Sequence, residues 1–89
     1  MKAIVTVLGH DRIGIIKEVS ESLASFNVNI EDISQTLMQN YFVMIMMTDV
    51  SSSSYSIAEM NVRLKEVGER LGMDIRMQHE DIFNCMHRI

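Results

Sequence analysis

A chain of 89 residues makes one domain that buries roughly 60–68% of its unfolded surface, a modest core that gains from association with a second copy. The formal net charge of −4 and the scatter of the 8 Lys and Arg residues leave no footprint for a phosphate backbone, which excludes nucleic acid as a direct partner. The single cysteine excludes an internal disulfide, and Lys17, Glu18, Glu31, Asp32 and Asp49 keep every apolar stretch below the roughly 18 residues of a membrane span; the chain reads as cytoplasmic, with no signal peptide and no membrane contact.

Lys2 to Leu8 is apolar on both sides of the pleat and rich in β-branched residues, the pattern of a central strand covered on both faces. Gly9-His10-Asp11-Arg12-Ile13-Gly14-Ile15 then carries the strand into a helix through two glycines. In the first turn of that helix Gly14 would leave backbone N–H groups and the positive end of the helix dipole unscreened, a seat for a carboxylate. The structural alternative is that Asp11 caps the helix and Gly14 makes a tight packing contact. Ile15, Ile16, Val19, Leu23 and Phe26 recur at helical spacing, so residues 13–26 are predicted to be an amphipathic helix that stops at Asn27.

Val28 to Met38 alternates imperfectly, slipping by one between Ile30 and Ile33, which predicts a long strand with a bulge. Gln39-Asn40, with Asn able to turn left-handed, predicts a tight hairpin into a second buried strand from Tyr41 to Met47. Ser51 to Ser54 form a solvated loop. Ser56-Ile57-Ala58-Glu59 fits a capping box and opens a helix over 56–71 that stops at Gly72. Met73, Ile75 and Met77 alternate as a strand with one wet face, and Ile82, Phe83, Met86 and Ile89 share one stripe of a short last helix over about 80–89. The order β-α-β-β-α-β is that of an α+β, ferredoxin-like sandwich: four antiparallel strands, two helices on one face, and the other face bare.

With these elements the chain resembles the ACT domain family, regulatory modules that bind amino acids and similar small ligands at dimer interfaces. The resemblance covers essentially residues 1–89 as a single domain and rests on Val7 to Ile15, on Phe26-Asn27-Val28-Asn29-Ile30, and on Ser34-Gln35-Thr36. Its look is that of the small stand-alone proteins with one such domain and a short helical ending. The resemblance implies a ligand site at Gly9, His10, Asp11, Arg12, Ile13, Gly14 and Ile15, completed by Asn29 and Ile30 from the neighbouring subunit of a homodimer. Asp11, Gly14 and Asn29 carry over most directly, although Ile13 replaces the proline that many amino-acid-binding members have before the loop glycine. Chemically the set suits a zwitterion: an amide at Gly14 for the carboxylate, Asp11 for the ammonium, and Asn29 for both.

Other sites are weaker. Cys85 and His87 stand at i and i+2, which point apart on a helix, and His79 would have to fold back to join them, so no metal is expected. Cys85 beside Met86 reads as a small buried hydrophobe rather than a nucleophile. With no Ser-His-Asp set, phosphate-cradling loop or dinucleotide fingerprint, neither catalysis nor a cofactor is expected. The expected function is a regulatory module sensing an amino acid or similar metabolite and passing this to a protein partner; the alternative is a ligand-free adaptor or regulatory subunit.

Overall fold

The structure, a computed structural model, describes residues 1–86, without the side chains of Phe83 and Met86. In chain order it forms β1 (Lys2–His10), α1 (Ile15–Ser25), β2 (Asn29–Met38), β3 (Tyr41–Asp49), α2 (Ile57–Leu71), β4 (Met73–His79) and α3 (Glu80–Met86). Three antiparallel ladders make one four-stranded sheet in the order β2-β3-β1-β4, the expected ferredoxin-like arrangement.

One core lies between the sheet and the two long helices. Ala3, Val5 and Val7 of β1, Phe42, Met44 and Met46 of β3 and Met73, Ile75 and Met77 of β4 alternate into it and meet Val19 and Leu23 of α1 and Met60 and Leu64 of α2. Each fully covered side chain of this size stabilises the fold by about 1.5–3 kcal/mol relative to exposure. That outweighs surface pairs such as Glu18–Arg70 (2.6 Å), worth roughly 0–1 kcal/mol. Thr48, the buried polar residue of this layer, donates its hydroxyl proton to the Ala3 carbonyl (2.8 Å) and so carries no unpaired group into the core.

Helix ends follow the local chemistry. Asn27 takes a left-handed φ of 62°, and its N–H and that of Val28 donate to the Ala24 and Leu23 carbonyls, a Schellman ending in which Val28 packs into the core beside Leu23. At the start of α2 the Ser56 hydroxyl accepts from Glu59 N–H and the Glu59 carboxylate accepts from Ser56 N–H, the expected capping box. Those bonds from Ser56 hold the Glu59 carboxyl below its ordinary range. Gly72 closes α2 with φ 72°.

Several expectations are corrected. Helix α1 starts at Ile15, not 13, and Ile13 stands almost wholly in solvent. On the face away from α1 and α2, strands β1 and β3 are covered only in part, because a continuous apolar run fits a partly bare strand as well as a sandwiched one; Ile4 is buried there, while Leu8 and Ile45 remain 49% and 41% exposed. In the hairpin it is Gln39, with φ 56°, that turns left-handed rather than Asn40. Cys85 is exposed, not buried. His87 and Ile89 lie outside the described residues.

Candidate functional site

The loop between β1 and α1 sits at the end of the sheet where β1 and β2 finish, since His10 pairs with Tyr41 and Tyr41 with Met38. A cleft of about 380 Å³ opens there, floored by Ile15 and Phe42, with Asp11, Arg12 and Gly14 on one side and Gln35 of β2 on another. Gly14 is the N-cap of α1, with φ 91° and no capping side chain. The first helical bond runs from Glu18 N–H to the Gly14 carbonyl (3.0 Å), so the N–H groups of Ile15, Ile16 and Lys17 have no side-chain acceptor and head the cleft.

This geometry overturns the structural alternative for both residues. Asp11 does not cap the helix: its backbone N–H donates to the Asn40 carbonyl (2.9 Å), and its carboxylate stays in solvent at the cleft mouth. Gly14 makes no packing contact, for a Cβ there would meet nothing within 4 Å. What demands glycine is its φ, a region unfavourable for L residues by about 1–2 kcal/mol.

The other loop residues divide by role. Gly9 allows close approach of β1 to β4, because a Cβ would lie 2.3 Å from Met73 Sδ and 2.9 Å from the Gly72 carbonyl oxygen. Arg12 donates from Nη1 to the Leu71 carbonyl (3.0 Å), fastening the loop to the last turn of α2 where a cation meets the negative helix end. His10 stacks on Tyr41 with ring centroids 4.8 Å apart. Ile15 anchors α1 in the core at 2% exposure.

Asn29 and Ile30 are not brought to this cleft within one chain. Asn29 pairs with Asp49 at the opposite end of the sheet, nine strand steps from Met38, on the order of 30 Å away. Ser51 donates to the Asp49 carboxylate there, holding it below its ordinary range, and an ion pair with Glu31 raises Lys2 above its own. Ile30 is half-buried against the core. Gln35 is the cleft residue that loop-centred reading missed; its signal was its place in Ser34-Gln35-Thr36, with Gln35 paired to Met44 on the helix side of β2.

Among the described residues no three His, Cys, Asp or Glu side chains gather to hold a metal ion, and no helix is long and apolar enough to cross a membrane. His79 Nδ1 accepts instead from Asp81 N–H (3.0 Å).

The split βαββαβ order, with four antiparallel strands and both long helices on one face, places the chain in the ferredoxin-like class of sandwiches. A sequence profile described as ACT domain matches residues 2–78. A UPF0237 protein of Clostridium acetobutylicum is 53% identical over 89 residues, covering 100% of both chains. A UPF0237 protein of Methanopyrus kandleri is 46% identical over 88 residues, covering 99% of this chain and 98% of that one. Among solved structures, an ACT domain protein from Streptococcus pneumoniae superposes with a TM-score of 0.82 at 36% identity, covering 93% of each chain. This chain belongs to the ACT domain family.

Proposed function

We propose that the protein is a cytoplasmic, non-catalytic regulatory module that binds an amino acid or a similar small zwitterion at a homodimer interface and passes the occupancy of that site to a partner protein. The observation that carries this reading is the uncapped start of α1, whose N–H groups head a cleft with Gln35 alongside and Asp11 at its mouth. Amide donors and the helix dipole suit the carboxylate, Asp11 suits the ammonium, and Gln35 offers both donor and acceptor.

Support for the dimer comes from the β2 edge. Glu31 to Met38 are exposed throughout, and Ile33 and Leu37, on the helix side of the sheet, remain 44% and 59% exposed; Ile16 of α1, which shares the cleft with Gln35, is exposed as well. Two β2 strands joined antiparallel about a two-fold axis would cover this strip. The same pairing sets the start of one β2 beside the end of the other, which carries Asn29 of the second copy toward the cleft of the first.

Thermal unfolding against the twenty amino acids tests the reading, with Asp11→Ala, Gln35→Ala and Asn29→Ala alongside. A ligand at 100 times its Kd stabilises by about 2.7 kcal/mol, a rise of several degrees at this size. One chemical class is expected to raise the melting temperature, with the shift reduced in all three variants. A flat response across the panel would overturn the ligand, and loss in the first two variants with Asn29→Ala unaffected would overturn the shared site.

A further inference from the structure

The sheet face opposite α1 and α2 carries a shallow groove of about 530 Å³, which the proposed ligand site does not use. Thr6 and Leu8 of β1, Val43 and Ile45 of β3, and Asp74 and Arg76 of β4 line it. The ladder registers arrange these residues in two adjacent rows: Ile45, Thr6 and Arg76 in one, Val43, Leu8 and Asp74 in the next. On the β2 side the rows end in Ser34 and Thr36. The patch therefore has an apolar centre and polar rims, the anatomy of a protein interface.

Its charges are arranged so that the patch complements itself. A two-fold axis lying in the plane of this face, across the strands and between the two rows, exchanges the rows. It sets Arg76 of each copy opposite Asp74 of the other, Ile45 opposite Val43, Thr6 opposite Leu8, and Ser34 opposite Thr36. The strands of the two sheets then run antiparallel, within the tilt of about 30° common to aligned sheet packing. Within one chain Arg76 Nε already reaches Asp74 Oδ1 at 3.1 Å, with the two side chains 69% and 53% exposed, so each head group is free to serve both partners. An unrelated surface would have to supply an acid and a base at this spacing; a second copy of this chain supplies both.

We propose that a second copy covers this face, back to back, forming an isologous interface centred on Val43 and Ile45 and closed on one side by two reciprocal Arg76–Asp74 pairs. Together with β2-edge pairing it makes an assembly of four chains; without that pairing it makes a dimer, so the two contacts stand or fall separately.

Light scattering on the size-fractionated full chain measures the assembly. Arg76→Asp, which faces four acids with one another, is expected to halve the particle mass, and the exchange Asp74→Arg with Arg76→Asp to restore it, because the swapped patch again complements itself. Ile45→Lys, at the centre of the face, should halve the mass without any change at β4. Ile33→Asp reports the β2 edge alone: an unchanged mass in that variant counts against edge pairing and leaves this face untouched. An unchanged mass in both Arg76→Asp and Ile45→Lys would overturn the proposal and leave the groove to a different partner. So would an exchange variant, folded by circular dichroism, whose mass stays at that of Arg76→Asp.

Discussion

At the β4 edge of the sheet, α2 lies so close that Asn61 Oδ1 accepts from Met77 N–H (2.8 Å) while Asn61 Nδ2 donates to the Met77 carbonyl (2.8 Å). At the β2 edge, among the described residues, no helix side chain plays this part; Ile33 N–H is met at 2.9 Å by the neighbouring, exposed Asp32 carboxylate. Asn61 stands in for a strand that would otherwise pair with β4, and Gly68 lets the helix come near enough to do it, since a Cβ there would lie 2.4 Å from the Met73 carbonyl oxygen. The difference teaches where the sheet can grow. One edge is closed by a side chain of its own chain and the other stays available, so the edge pairing proposed above would end at two copies instead of running on as a filament.

Gly68→Ala gives the largest expected loss. The added methyl meets backbone rather than a flexible side-chain tip, so α2 must back away from β4 at a cost of about 3 kcal/mol. A fall in melting temperature on the order of 10 °C or more checks it by calorimetry. Asn61→Ala follows at about 2 kcal/mol, because it leaves a half-buried N–H and C=O at Met77 without their partner. It should also open the second edge, seen as larger particles in light scattering that the wild type does not form. Ile33→Lys is the mirror test: at an exposed position it should move the stability of the single chain by less than about 0.5 kcal/mol while abolishing association through β2. Equal effects at Asn61 and Ile33 would erase the contrast between the edges.

Acid titration gives the smallest effect. Hydrogen bonds from Ser56 and Ser51 depress the Glu59 and Asp49 carboxyls in the folded chain, so their contributions are complete above the ordinary values of 4.5 and 3.8 and fade as pH falls through the lower folded values. Stability measured downward from pH 5 should fall less steeply in Glu59→Gln than in the wild type.

Much of the fold was legible because its signals are local. The change from apolar run to helical period at Ile15, the Ser56–Glu59 box, the Asn27 and Gly72 stops and the alternation of Met73, Ile75 and Met77 each depend on residues a few positions apart. What stayed hidden depends on distant parts of the chain. Whether Leu8 and Ile45 are covered depends on what lies across the sheet, and a run of apolar residues does not encode that. Arg12 reads as a loop cation until the end of α2 is brought beside it, and Gln35 reads as an exposed strand residue until β2 passes the mouth of the loop. Asn29 was recognised by its neighbours in sequence, but only the ladder register shows that it stands at the other end of the sheet from Gly14.

The bulge in β2 has a consequence for insertions and deletions. Ile30 pairs with Thr48 and Asp32 with Met47, so Glu31 is a supernumerary residue between two stretches of regular ladder. With Glu31 passed over, Ile30, Ile33, Gln35 and Leu37 all fall on the helix side. Removing Glu31 would straighten the strand yet keep that phase. Removing Ser34, with the bulge kept, would rotate the positions on one side of the gap to the opposite face and set the cleft's glutamine out of phase with Ile30. The position of Gln35 is thus counted as much as it is packed, and the same lesion, a single missing codon, would be silent at one place in β2 and damaging three residues later.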